Sequence, residues 1–257
     1  MGFHLFSLFI PYYGFCIAIG VVSSFLIGLL LCKKNKLSGD ELIILYAYLL
    51  SFGFIGAKLL YAIVTFKYID WAETFSSMEN FVEFLCAGFV FYGGLIGGFG
   101  ALFLVQKIHS IQIKKYINIL TICLAIAHAW GRIGCALTGC CFGKETTGIF
   151  YFIYKDSYVA PCNIKLFPVQ AIESAAIFIL ALVLVIIYLK NSDFTNWPVY
   201  FITYSILRFI LEFFRGDLIR GTFGILSTSQ IISLLLLTSI IVYLTIIRIK
   251  SKRKNNK

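Results

Sequence analysis

Ala127-His128-Ala129-Trp130-Gly131-Arg132-Ile133-Gly134-Cys135-Ala136-Leu137-Thr138-Gly139-Cys140-Cys141-Phe142-Gly143-Lys144 closes an apolar run that begins near Tyr116, and it sets Arg132 well inside that run. An arginine at membrane depth costs roughly 2.5–3.5 kcal/mol on insertion scales, so it faces a polar cavity or a partner. Gly131, Gly134, Gly139 and Gly143 flank it, interleaved with Cys135, Cys140 and Cys141. Glycine lets backbone approach a ligand closely, and amides near a helix end hold anionic oxygens. The stretch reads as the anion-binding centre of a membrane enzyme. The plainer alternative is a helix end whose arginine snorkels to water.

Composition points the same way. The chain is 60% hydrophobic and only 13% charged, against about 25% charged in a soluble domain. A bilayer core is spanned by about 20 apolar residues, and seven segments approach that length: 8–32, 42–65, 84–106, 116–137, 169–189, 198–214 and 229–248. The expected fold is therefore an all-α polytopic membrane protein of about seven transmembrane helices. The first segment lacks a basic leader and is followed by Lys33-Lys34, which marks an anchor rather than a cleaved signal.

The connections carry unequal charge. Lys33, Lys34 and Lys36, Lys107, Lys114 and Lys115, Lys190 and the basic run from Arg248 to Lys257 fall on one side. The other side holds fewer: Lys67, Lys144, Lys155, Lys165, Arg215 and Arg220. The positive-inside rule puts the larger set in the cytoplasm, with the N-terminus outside and the C-terminus inside. The basic tail 248–257 suits an anionic lipid surface, so the net charge of +10 does not call for nucleic acid. Nothing divides the chain into separate soluble domains. Residues 1–257 are read as one integral-membrane domain, with 66–83 as an arm along the outer interface.

Lys58, Arg132 and Arg208 lie within apolar segments, as do the acids Glu173 and Glu212. Buried ion pairs account for such residues in part, Lys58 with Glu173 being one candidate. The sixth segment is more telling, because a spacing of four sets Tyr204, Arg208 and Glu212 on one helix face with Arg215 close by. This stripe suits a lipid phosphate, held by an arginine that a carboxylate orients. An intrahelical ion pair is the simpler alternative. The glycines of Tyr92-Gly93-Gly94-Leu95-Ile96-Gly97 permit close approach of either a helix or a ligand.

With these residues in place the chain resembles the prolipoprotein diacylglyceryl transferases, bacterial inner-membrane enzymes that move the diacylglyceryl group of phosphatidylglycerol onto a cysteine thiol. Six blocks match in order: Pro11-Tyr12-Tyr13-Gly14, Gly56-Ala57-Lys58-Leu59-Leu60-Tyr61, Tyr92-Gly93-Gly94-Leu95, Gly131-Arg132-Ile133-Gly134, Pro168-Val169-Gln170-Ala171-Ile172-Glu173, and Arg208-Phe209 with Glu212, Arg215 and Asp217. The resemblance implies a multi-pass protein of the cytoplasmic membrane. Its partners would be phosphatidylglycerol, a prolipoprotein bearing a cysteine thiol, and the bilayer. No cofactor or metal is implied. Arg132, Arg208, Tyr92 and Tyr204 are the implied catalytic residues; Tyr13, Gly93, Gly94, Gly139, Gly143, Glu212 and Arg215 would bind substrate.

The chain departs from the family pattern at chosen places. Lysine stands for arginine at Lys58, and Tyr92 replaces a histidine. Cys135 and Thr138 replace two asparagines, and Cys140 replaces a glutamate. The anion-binding parts survive, whereas acid–base and amide parts are exchanged for thiols. A thiol-based redox protein and a non-catalytic lipid-binding relative are thus alternatives. Cys135, Cys140, Cys141 and Cys162 lack a C-x-x-C ligand spacing and a histidine cluster, which argues against zinc. A disulfide from Cys162 to Cys140 or Cys141 suits an oxidising outer space. A packing or bonding role is the simplest expectation for Cys140 and Cys141.

Overall fold

Each of the seven apolar segments folds mainly as helix in the computed structural model, which describes residues 1–257 apart from Ser7, Ala87, Tyr158, 218–221, 224–225 and 256–257. In chain order the elements are β1 (Gly2–Leu5), β2 (Leu8–Pro11), α1 (Tyr12–Lys34), α2 (Gly39–Val64), α3 (Trp71–Thr74), α4 (Met78–Cys86), α5 (Phe91–His109), α6 (Ile113–Thr138), α7 (Val169–Lys190), α8 (Trp197–Leu211), a 3₁₀ turn (Glu212–Phe214), β3 (Thr222–Phe223), β4 (Leu226–Ser227) and α9 (Thr228–Asn255). Among the described residues, five helices are long and apolar enough to cross a membrane: α1, α2, α6, α7 and the Thr228–Lys250 part of α9. The first apolar run is not helical throughout. Its start is β2, antiparallel to β1 with Gly2 opposite Pro11, and the helix begins only after Pro11, whose ring fixes φ and removes a donor. The chain packs as two compact units, Leu29–Tyr116 and Met1–Gly28 with Ile117–Lys257.

In the Leu29–Tyr116 unit, Ser38 starts α2 by accepting from the Glu41 amide at 3.4 Å, with Asp40 and Glu41 in the positive first turn. α5 lies close against α2 because a Cβ at Gly93 would run into the Gly56 carbonyl and Cβ of its neighbour Leu60. Gly94 faces the Gly53 carbonyl, 3.4 Å from where its Cβ would stand. The helix-contact reading of these glycines therefore accounts for both. Residues 66–83, expected as an arm, form α3, most of α4 and their connections, with Trp71 stacked on Phe75, tilted against Phe66 and edge-on to Phe84. Lys58 donates to the carbonyls of Phe84 and Gly88 at the end of α4, and its ammonium sits 3.8 Å from the Phe84 ring centroid. A cation on terminal helix carbonyls and an aromatic face is chemically satisfied.

In the larger unit α6 is buried along most of its length, with Ile119, Ile122, Ala125 and Ala129 fully enclosed. Asn118 fixes the α7–α8 connection: its Nδ2 donates to the Ser192 and Phe194 carbonyls at 2.9 and 2.8 Å, and its Oδ1 accepts from the Asn196 amide at 2.8 Å. α7 buries Gln170, Glu173, Ser174 and Ile177, a face set by spacings of three and four. Ser174 Oγ donates to the Ala129 carbonyl at 2.9 Å, a polar tie between α7 and α6. The 139–168 connection folds over the end of α6 through Tyr154, whose hydroxyl donates to the Ala136 carbonyl at 2.8 Å.

Candidate active site

Three helices of the larger unit meet at Arg132. Its Nη2 lies 2.5 Å from Glu173 Oε2, a contact of charges without hydrogen-bond alignment. The other carboxylate oxygen, Oε1, accepts from the Tyr204 hydroxyl of α8 at 3.3 Å. Glu173 is 1% exposed and Arg132 9%, so the pair is removed from water. Sequence reasoning offered Lys58 as the partner of Glu173; Glu173 instead takes Arg132 and Tyr204. The next turn of α6 adds His128, whose Nδ1 is 2.8 Å from the Tyr200 hydroxyl and whose ring packs edge-on against Tyr204. Arg132, Arg208 and Glu173 all act electrostatically on both His128 and Tyr204.

The α8 stripe is present as its spacing requires. Arg208 Nη2 lies 2.6 Å from Glu212 Oε2 and donates to Ser229 Oγ of α9 at 3.0 Å. Glu212 opens the 3₁₀ turn, which swings Arg215 to within 3.9 Å of the same carboxylate. Arg215 then forks onto Asp217, at 2.7 and 2.5 Å. The backbone around it is knitted to the 139–168 connection, the signature loop that follows the Gly131–Gly134 block, since Lys144 N donates to Phe214 O at 2.8 Å and Gly216 N to Phe142 O at 3.0 Å. Gly143 sits in that weave: a Cβ there would run into the Phe167 carbonyl. These acids hold the arginines without exhausting them. Arg132 Nε and Arg208 Nη1 are buried donors that meet no hydrogen-bond acceptor among the described residues.

Below Arg132 the end of α6 turns back on itself. Gly139 has φ +72°, and a Cβ there would stand 2.5 Å from Ser157 Oγ, so glycine is required by both conformation and space. Cys141 follows at φ +60°, an uncommon conformation for a residue with a side chain. The two turns bring Cys135, Cys140 and Cys141 together with every Sγ within 4.8 Å of the others. Arg132 Nη1 donates to Cys135 Sγ at 3.7 Å, and Gln170 Nε2 donates to the Cys140 carbonyl at 2.9 Å. Hydrogen bonds from Cys135 and Cys140, with Arg132 and Arg215 adding positive charge, hold the Cys141 thiol below its ordinary range. The expected disulfide to Cys162 is not formed. Cys140, Cys141 and Cys162 are free, and Cys162 Sγ accepts from the Ser157 amide at 3.4 Å within its own loop.

The structure thus gathers Arg132, Arg208, Tyr204, Gly139, Gly143, Glu212 and Arg215 in the larger unit. Tyr13 joins them from the first turn of α1, near enough to Gly134 that a Cβ there would stand 3.0 Å from its ring. Tyr92, Gly93 and Gly94 belong to the Leu29–Tyr116 unit, in the first turn of α5, where Tyr92 is 47% exposed. Sequence reasoning left out Glu173, His128, Asp217 and Ser229 as site residues. The Pro168–Glu173 block carried the signal for Glu173, because Gln170, Glu173 and Ser174 share one face of a helix that is otherwise apolar.

Residues 1–246 match the profile of the prolipoprotein diacylglyceryl transferase family. The chain belongs to this family. Phosphatidylglycerol–prolipoprotein diacylglyceryl transferase 2 of Clostridium perfringens (strain 13 / Type A) is 34% identical over 253 residues, 97% of this chain and 96% of that protein. The phosphatidylglycerol–prolipoprotein diacylglyceryl transferase of Clostridium tetani (strain Massachusetts / E88) is 36% identical over 235 residues, covering 90% and 91%. That of Finegoldia magna (strain ATCC 29328 / DSM 20472 / WAL 2508) is 25% identical over 265 residues, covering 99% and 96%. Within the diacylglyceryl transferase family, then, this chain gathers three thiols at the end of α6, one of them, Cys135, in contact with Arg132.

Proposed function

We propose that the chain transfers the diacylglyceryl group of phosphatidylglycerol to a cysteine thiol of a prolipoprotein, as a multi-pass protein of the bacterial cytoplasmic membrane. The observation that carries this reading is the pair of buried, unused guanidinium donors, Arg132 Nε and Arg208 Nη1. Buried donors that lack an acceptor are costly unless a ligand completes them. A phosphodiester is a fitting acceptor, because a guanidinium presents a planar fork to phosphate oxygens.

The acceptor thiolate attacks the glyceryl carbon that bears the phosphate. A C–S bond forms, the C–O bond breaks, and its electron pair leaves on glycerol phosphate. Charge grows on that leaving group, and preorganised donors aimed at developing charge are the main means of catalysis available. Arg132 and Arg208 supply them. Glu173, oriented by Tyr204, fixes Arg132; Glu212 and Ser229 fix Arg208, and Arg215 with Asp217 holds the signature loop in place. Tyr13 and Tyr92 are assigned to the lipid-facing surface, with Gly93, Gly94, Gly139 and Gly143 shaping the backbone. Seven helices, with the N-terminus outside and the C-terminus inside, place the signature loop on the outer face, α3 and α4 along the outer interface, and the basic tail on the inner leaflet.

The test uses the purified chain in detergent with phosphatidylglycerol and a cysteine-containing acceptor peptide. Thioether-linked peptide and glycerol phosphate should appear in equal amounts, and a serine-substituted peptide should give neither. A folded chain that yields no product with either lipid or peptide in excess would favour the non-catalytic lipid-binding alternative.

A further inference from the structure

The three thiols beside Arg132 have a geometry that packing alone does not call for. A zinc–thiolate bond is about 2.3 Å, so two sulfurs of a tetrahedral zinc site stand about 3.8 Å apart. Cys135, Cys140 and Cys141 already hold every Sγ within 4.8 Å of the others, at most about 1 Å from that arrangement. Sequence spacing does not reveal this closure, because it depends on the left-handed residues Gly139 and Cys141, at φ +72° and +60°, which fold positions 140 and 141 back toward 135. The left-handed conformation costs glycine nothing, but at Cys141 it is strained backbone, which persists where surrounding structure enforces it and gathers at functional sites. Here the enforcement is visible: Gln170 holds the Cys140 carbonyl at 2.9 Å, and Thr138 Oγ1 donates to Cys140 Sγ at 3.5 Å. Arg132 donates to Cys135 Sγ at 3.7 Å, and the Arg215 guanidinium acts on Cys141. Such donors around thiolate ligands orient them and offset their charge.

We propose that Cys135, Cys140 and Cys141 bind one zinc ion as a three-thiolate site whose fourth position takes the thiol of the acceptor cysteine. The second half of this statement rests on the transferase reading above. Zinc fits better than a redox metal, because it favours four ligands, has no redox chemistry and leaves one position free when the protein supplies three. Cys140 is partly exposed, so the cluster is open on one side. The acceptor S–H gives its proton to water on binding the metal, since a coordinating thiol is deprotonated. The sulfur then forms its bond to the glyceryl carbon as the C–O bond to phosphate breaks. The released proton balances the extra negative charge of the phosphate monoester. On this account the cysteines replace the family's amide and acid residues with another means of presenting a thiolate next to the phosphate-binding arginines.

The full chain, purified in detergent under reducing conditions without a histidine tag, is loaded with zinc or with cobalt(II) as its spectroscopic probe. The expected result is one zinc per chain, and a cobalt form with thiolate charge-transfer bands and intense tetrahedral d–d bands. The triple variant Cys135→Ser, Cys140→Ser, Cys141→Ser should keep its helicity and lose both. Adding the cysteine peptide, but not its serine analogue, should shift the d–d bands. Stripping zinc should lower transfer at least 100-fold, with recovery on adding zinc back. Far less than one zinc per chain, zinc retained by the triple variant, stoichiometric copper(I) in place of zinc, or a stable disulfide among the three thiols would each overturn the site. Zinc binding without a peptide-dependent shift overturns the acceptor role. Full transfer by metal-free protein sinks the zinc proposal and leaves the transferase standing; an intact cobalt site with no transfer to any peptide does the reverse.

Discussion

Arg132 of α6 and Glu173 of α7 are joined at 2.5 Å in a place where Glu173 is 1% exposed. Removing one member of a buried pair leaves a charge with no counterion, at a cost of about 3–5 kcal/mol. Glu173→Gln should therefore lower the Tm in detergent clearly, even though the amide can still accept from Tyr204. Transfer should fall at least 10-fold in the protein that remains folded, because Arg132 loses its fixed direction. Unchanged Tm and unchanged transfer would show that the pair neither supports the fold nor orients the site.

Arg208 is held differently, by Glu212 in its own helix and by Ser229 in α9. Arg208→Lys keeps the charge but loses the fork, and the loss of one donor at developing charge costs roughly 10²-fold in kcat. We expect that loss for lysine and no measurable transfer for Arg208→Ala or Arg132→Ala, with each variant inserted and folded but lowered in Tm by the loss of one member of a buried ion pair. Labelling of the acceptor peptide at the unmodified rate by either alanine variant would remove the arginines from the mechanism.

The contrast between these arginines shows what was legible in the sequence. The Arg208–Glu212 pair follows from a spacing of four on one helix, so the chain alone reveals it. The Arg132–Glu173 pair joins two helices, and no local pattern chooses Arg132 over Lys58 as the partner. Lys58 in turn is met by carbonyls at the end of α4, a short helix inside a stretch read only as an interfacial arm. The thiol cluster was hidden for another reason: its closure depends on a left-handed conformation at Cys141, a residue type that gives no hint of it. β2 was hidden at the start of the first apolar run, marked off only by Pro11, and β1 lies ahead of that run.

Glycines of similar appearance should separate sharply under substitution. Gly143→Ala forces a Cβ into the Phe167 carbonyl, and Gly139→Ala adds a Cβ to a residue at φ +72°. Each should cost on the order of 1–3 kcal/mol and loosen the signature loop. Gly100 in α5 has no atom within 4 Å of where its Cβ would stand. Gly100→Ala should be neutral or raise stability by up to about 1 kcal/mol through helix propensity. Thermal unfolding of the three variants side by side checks the ordering; a Gly100→Ala protein less stable than Gly143→Ala would contradict it.

Asn118 offers a stability effect without a chemical one. Its side chain meets three backbone groups of the 192–196 segment, and Asn118→Ala leaves the fully buried Asn196 amide and the Ser192 and Phe194 carbonyls without it. The expected loss is about 1–3 kcal/mol. Transfer per folded molecule should stay near the unmodified rate, because the clamp lies at the opposite end of α6 from Arg132. A normal Tm with impaired transfer would assign Asn118 to the reaction instead.

The arrangement in the membrane turns on the two helices that fall outside the five long apolar ones. α5 has 19 residues, which at 1.5 Å per residue gives about 28 Å, close to the roughly 30 Å of a bilayer core. α8 has only 15, about 22 Å, but its 3₁₀ turn continues the rise by about 6 Å to Phe214. We expect both to span, which would give an odd number of crossings and termini on opposite sides. On that arrangement Lys33, Lys34, Lys107, Lys114, Lys115 and the tail beyond Arg248 would share one side, and the positive-inside rule would make it the cytoplasmic one. Reporter fusions at Asn35, His109 and the C-terminus should all read cytoplasmic, and a fusion in the 144–165 loop should read external. If α5 does not cross, His109 reads external and the remaining assignments invert; if α8 does not cross, the C-terminal fusion alone reads external. Either reading breaks the seven-helix arrangement at an identifiable helix.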